Sequence, residues 1–161
     1  MITDYLNCDT ISLRCEAADR DDAIRIAGEL LVKQSYVEEP YIGEMIQTIK
    51  DMGAYIVISP GIAFAHARPS KLVKKDSVSL VTLKTPVEFG HKQNDPVSVL
   101  FALAGRENTG HLSIMKDIAM LILRENFFDT ITNADSVEEI IDYMNSEEGG
   151  ENTSSCSSKA G

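Results

Sequence analysis

His66 and Arg68 stand two residues apart at the end of the run AYIVISPGIAFAHARP, residues 54–69. A β-branched apolar stretch reads as a buried strand, Pro60-Gly61 as a turn, and a second short apolar segment ends on the histidine. Such a segment carries one imidazole from the end of a buried strand to the edge of the structure. Pro69 holds Arg68 towards extended backbone, and side chains two apart in extended chain share a side. An imidazole nucleophile beside a guanidinium suits phosphate chemistry.

A second imidazole, His111, follows Asn108-Thr109-Gly110 in the first turn of an amphipathic helix, where free N–H groups and the helix dipole favour an anion. A neutral imidazole, with an ordinary pKa of about 6.5, has a ring nitrogen free to attack phosphorus if its other nitrogen is held. Phosphoryl transfer asks for positioning and donors around the equatorial oxygens. His66 as acceptor, with His111, Gly110 and its helix end, and Arg68 as donors, meets those needs. Spacing alone also leaves His66 open as a strand-end packing residue, His111 as a cap and Arg68 as a solvated cation.

Other chemistries fit less well. The three histidines, His66, His91 and His111, have no i,i+4 pair and no HExxH or CxxC beside them, so no metal is expected. His91, in EFGHKQNDP, reads as a solvated loop residue. There is no GxSxG elbow, Walker loop or GxGxxG, so neither a serine triad nor a nucleotide or other cofactor is expected. Cys8, Cys15 and Cys156 form no metal-type spacing, and the first ten residues have no signal-peptide character; reduced thiols and a cytoplasmic protein are expected. A formal charge of -10 argues against nucleic acid, and no apolar run is long enough to insert in a membrane.

The 161 residues, 43% of them hydrophobic, amount to one domain with a real core. A first strand is expected at 11–15. Asp19 caps a helix with Ala23, Ile24, Ala27, Leu30 and Leu31 on its stripe. A second helix starts at Pro40, buries Ile42, Met45, Ile46 and Ile49, and ends at Gly53. Strands follow at about 55–59, 77–83 and 96–103. The helix opened by Thr109 and Gly110 places Leu112, Met115, Ile118, Ala119 and Ile122 on one side. A last helix starts at Asp135, with Glu138 at capping-box spacing. The polar residues 146–161 read as a disordered tail after a domain of 1–145. Strands interleaved with helices point to an α/β fold: a mixed central sheet flanked by helices on both faces, a three-layer sandwich.

GIAFAHARP closely resembles the phosphohistidine motif of the type 2 enzyme IIA domains (mannitol/fructose superfamily) of the bacterial phosphoenolpyruvate sugar phosphotransferase system. Gly61, Ile62, Ala63, Phe64, His66 and Ala67 match that motif, and Ala65 replaces its usual proline. The likeness runs over about residues 10–145, through VEEPYIGEMI, VTLKTPVEFGHKQNDPVSVLFALA and GHLSIMKDIAMLI, and is greatest to the ascorbate-type branch.

The resemblance implies a phosphocarrier whose His66 takes phosphate from phospho-HPr, through Nε2, and passes it to a cysteine of a IIB protein that serves a membrane IIC. It implies that His111 lies beside the phosphorylated ring. Mannitol- and fructose-type members carry an arginine where Lys50 stands, which makes Lys50 a further phosphate-supporting candidate, although lysine lacks the planar fork of arginine. Loss of the proline before His66 shifts the burden of orienting it to packing around Ala65. A regulatory IIA-like protein and a binding domain that reuses the fold are the alternatives, and a homodimer is left open. The cargo is recognised by the membrane component, so ascorbate rests on branch likeness.

Overall fold

A computed structural model of the protein describes residues 1–146. The tail expected from Ser146 lies outside them, except for Ser146 itself, which closes the last helix. The order is β1 (Ile11–Cys15), α1 (Arg20–Lys33), α2 (Pro40–Met52), β2 (Val57–Ser59), β3 (Ile62–His66), β4 (Ser77–Val87), β5 (Val97–Ala104), α3 (Asn108–Ile122), α4 (Phe127–Asn133) and α5 (Val137–Ser146), with 3-10 turns at Ile2–Asp4 and Ala54–Ile56.

Local chemistry places the first helices as expected. The Asp19 side chain accepts from the Asp22 N–H at the start of α1. Pro40 opens α2, and Gly53, at φ 83°, ends it. The strands form one mixed sheet in the order β1-β4-β5-β3-β2. β1 runs parallel to β4 and β3 parallel to β5, while β4–β5 and β2–β3 are antiparallel.

Strand alternation then feeds two cores. Val78 and Leu80 of β4, Val99, Phe101 and Leu103 of β5, and Ile62 and Phe64 of β3 pack with α3, α4 and α5. Val81, Leu100, Ala102, Ala63 and Ala65 pack on the other face with α1 and α2. The expected three-layer sandwich is thus the observed one. His66 continues the Ile62–Phe64 alternation and emerges on the α3 side.

Three expectations need correction. The strand expected at 55–59 begins only at Val57, because Ala54–Ile56 winds into a 3-10 turn that leaves Tyr55 47% exposed. α4 was not anticipated: it follows Asn126, whose backbone is left-handed, and no side chain caps it. α5 starts later than Asp135. Ser136 Oγ accepts from the Glu139 N–H and Glu139 accepts from the Asp135 N–H, while the Asp135 carboxylate pairs with Arg14 at 2.7 Å. Cys15 is a free, half-buried thiol.

Candidate functional site

β3 holds His66 by its ladder to β5, in which Ala65 pairs with Ala102 and His66 with Leu103. Ala65 is fully buried, so hydrogen bonding and packing fix the backbone before His66 without a proline. On the far side, the hydroxyl of the fully buried Tyr41 donates to the Leu103 carbonyl at 3.0 Å and accepts from the Ala67 N–H at 3.2 Å. Burial pushes the Tyr41 phenol up to about 12, so it stays a neutral donor. α2 is thereby tied to the ends of both strands that flank the histidine.

The His66 ring stacks on Phe64, with centroids 5.1 Å apart. Its Nδ1 faces the Phe64 carbonyl at 3.5 Å, and a carbonyl only accepts, so Nδ1 carries the proton. Nε2 is left with its lone pair and lies 3.0 Å from the Tyr55 hydroxyl, which donates to it. Burial and the neighbouring His111 hold the His66 pKa below its ordinary value. His66 is therefore a neutral imidazole near pH 7, with its lone pair on Nε2.

His111 lies in the first turn of α3, its ring centroid 5.4 Å from that of His66. Gly105 makes this approach possible: a Cβ there would come within 2.9 Å of the His111 Cβ and 3.1 Å of its backbone N. Burial lowers the His111 pKa, with Asp76 acting weakly the other way. Its buried Nε2 has no hydrogen-bond partner among the described residues, an unmet polar atom beside the His66 ring. No side chain caps the N-terminus of α3.

The two imidazoles open on a cleft of about 580 Å³, lined also by Arg68, Tyr55, Thr48 and Asn108, with the carboxylates of Glu44 and Asp51 on its α2 wall. Arg68 is exposed and makes no hydrogen bond or ion pair among the described residues. The structure thus brings together His66, His111 and Arg68. It does not bring Lys50 or Gly110 to the cleft. The Lys50 ammonium turns to Asp21 of α1, 3.8 Å away. Gly110 backs onto the Asp76 carboxylate, which a Cβ there would strike, and that same carboxylate accepts from the Arg106 N–H at 2.7 Å. His91 is more than a solvated loop residue: its Nδ1 accepts from the N–H groups of Gln93 and Asn94 and so braces its turn. No group of His, Cys, Asp and Glu among the described residues could hold a metal.

Sequence reasoning missed Tyr55, since a strand reading assigns no direction that a 3-10 turn would give it. It also missed a groove of about 360 Å³ beside the stacked rings, formed by Ile58, Phe64, Met115, Ala119, Ile122 and Leu123. The buried stripe of α3 is Ile114, Ile118 and Leu121. Of the side expected from Leu112, Met115, Ile118, Ala119 and Ile122, Ile118 enters the core, Met115 and Ile122 pack half-buried against it, and all but Leu112 line the groove, while Leu112 is 65% and Leu123 79% exposed.

Comparison with known proteins places this geometry. Residues 4–147 match the family described as phosphoenolpyruvate-dependent sugar phosphotransferase system, EIIA 2. The ascorbate-specific PTS system EIIA component of Escherichia coli (strain K12) is 36% identical over 136 residues, covering 84% of this chain and 88% of the relative. The crystal structure of a IIA (PtxA) from Streptococcus mutans superposes with a TM-score of 0.79 at 29% identity, covering 88% of this chain and 90% of that one. A complex of enzyme IIAMTL with phosphorylated enzyme IIBMTL from Escherichia coli is also similar, with a TM-score of 0.78 at 26% identity over 88% of this chain and 97% of that one. No helix among the described residues is long and apolar enough to cross a membrane. This chain belongs to the EIIA 2 family of the phosphoenolpyruvate-dependent sugar phosphotransferase system, and serves in phosphoryl transfer within it.

Proposed function

We propose that His66 accepts a phosphoryl group from phospho-HPr at Nε2 and passes it to a cysteine of a IIB protein, in the uptake of ascorbate or a related sugar. The observation that carries this reading is the state of His66: neutral, held at Nδ1 by the Phe64 carbonyl, with the Nε2 lone pair directed to the cleft side occupied by Tyr55. In the first half-reaction that lone pair attacks phosphorus, the P–N bond to the donor histidine breaks, and its electrons return to the donor nitrogen. The Nδ1 proton stays on His66, and the cationic character of the phosphorylated ring is met by the carbonyl. In the second, a thiolate attacks the same phosphorus and the lone pair returns to Nε2.

The His111 imidazole and Arg68 supply the donors that the equatorial oxygens need. The groove of Ile58, Met115, Ile122 and Leu123 offers an apolar docking face against the acceptor ring. The IIB partner is supported by the likeness to a IIA that is complexed with its phosphorylated IIB. The cargo is supported by the names of the relatives.

Incubation with phosphoenolpyruvate, enzyme I and HPr should give an acid-labile, base-stable adduct on the wild-type chain and none on His66→Ala. Labelling that survives this substitution would sink the assignment.

A further inference from the structure

The hydroxyl of Tyr55 occupies the one position in the cleft where a phosphoryl group bonded to His66 would have to sit. It donates to Nε2 at 3.0 Å, and the two rings meet edge-on with centroids 5.9 Å apart. A lone pair engaged by an O–H is not free to attack phosphorus, so this hydrogen bond has to open before His66 can act. Tyr55 is placed to allow that. It sits on the short 3-10 turn Ala54–Ile56, is 47% exposed, and the contact with Nε2 is its one hydrogen bond among the described residues. A rotation about its side-chain torsions releases the hydroxyl without disturbing the core.

The charges of the cleft say what the released hydroxyl meets. Lys50, the cation in the last turn of α2, is turned to Asp21. The α2 wall carries Glu44 and Asp51 instead, and Asp51 accepts from Gln47 at 2.8 Å. The α2 side of the cleft thus lacks a cation, and Arg68 approaches from beyond the end of β3. A neutral O–H on that side donates to a phosphoryl oxygen at no cost in added charge, while carboxylates nearby repel the anion.

We propose that Tyr55 is a catalytic residue of the phosphoryl transfer: its hydroxyl caps Nε2 of the resting His66 and swings to donate to an equatorial oxygen of the transferring group. This rests on the reading of His66 as the phosphoacceptor. No proton is exchanged with the phosphoryl group; the O–H changes acceptor from Nε2 to a phosphoryl oxygen, and the Nε2 lone pair so freed forms the new P–N bond as the donor's P–N bond breaks. The hydroxyl's place in the transition state outweighs its cost in the ground state because a hydrogen bond to a charged oxygen is about twice as strong as one between neutral groups.

The test is the single-turnover rate of transfer from phospho-HPr to wild type, Tyr55→Phe, Tyr55→Ala and His66→Ala. Tyr55→Phe keeps the ring and its edge contact and removes only the hydroxyl. The expected result is a fall of about tenfold in the maximal rate for both Tyr55 variants, with half-saturation by phospho-HPr unchanged, as one transition-state donor is lost. Phosphorylated Tyr55→Phe should also transfer more slowly to a IIB cysteine, since the reverse of the same contact is broken. A wild-type rate in Tyr55→Phe overturns the proposal, whether or not Tyr55→Ala is slow, because a packing role survives in the phenylalanine. A rise in rate likewise overturns it, leaving the hydroxyl as a brake alone. His66→Ala separates the two claims: if it still takes phosphate, the acceptor reading fails, and if it does not while Tyr55→Phe is unimpaired, only the Tyr55 proposal fails.

Discussion

Replacing Tyr41 by phenylalanine removes one oxygen from the fully buried core and should cost stability out of proportion to its size. That oxygen donates to the Leu103 carbonyl at 3.0 Å and accepts from the Ala67 N–H at 3.2 Å. The ring stays, so no cavity larger than a hydroxyl forms. What is left is a buried N–H at Ala67, 3% exposed, and a carbonyl at Leu103 short of a donor. A buried donor without a partner costs about 1–3 kcal/mol. A value of about 2 kcal/mol lowers the melting temperature of a domain of this size by about 4–8 °C. Thermal and urea unfolding measure this, the urea slope being unchanged and the midpoint lower. The Ala67 amide, one residue past His66, should also exchange its hydrogen faster. A melting temperature indistinguishable from wild type would refute the reasoning, because it would mean that α2 is not tied to the strand ends through this hydroxyl.

Other outcomes follow from the same geometry. His111→Ala should slow transfer from phospho-HPr by about a hundredfold to a thousandfold while His66 still accepts phosphate, as expected for loss of one transition-state donor; a wild-type rate would remove His111 from the mechanism. Both imidazoles have folded-state pKa values below the ordinary 6.5, so the unfolded chain binds more protons in that window and stability falls as the pH drops below 6.5 towards the lowered values. Melting temperatures between pH 7 and pH 5 should therefore fall less steeply in His66→Ala and His111→Ala than in wild type, and parallel curves would contradict the depressed values. Leu123→Glu, on an exposed rim of the groove, should leave the melting temperature nearly unchanged and raise the phospho-HPr concentration needed for half-maximal transfer; unchanged half-saturation would take the groove out of docking.

Where the chain could be read without its fold, the signals were local. Asp19 three residues before Asp22, Pro40 at a helix start and Gly53 at its end each act within one turn, and α1 and α2 stand where these residues put them. The alternation Ile62, Phe64, His66 likewise carries the histidine to one face whatever lies beyond. Tertiary competition accounts for the rest. Asp135 has cap chemistry, but its carboxylate is taken by Arg14, 121 residues away in sequence, and the neighbouring Ser136 caps α5 instead. α3 carries apolar residues round more than one face, and only packing decides that Ile114, Ile118 and Leu121 enter the core, that Met115 and Ile122 pack half-buried against it, and that Leu112 faces out. Tyr55 belongs to a β-branched run with strand propensity, yet the turn that follows Gly53 rotates it onto His66. The meeting of Gly105 with His111, and of Asp76 with Gly110, depends on elements far apart in sequence.

The most direct measurement is nitrogen–phosphorus coupled NMR of the phosphorylated, 15N-histidine-labelled protein. A single phosphoryl group coupled to Nε2 of His66, with Nδ1 of that ring still protonated, is the expected result. Coupling to Nδ1 of His66, or to either nitrogen of His111, would contradict the assignment of the nucleophilic atom made from the Phe64 and Tyr55 contacts.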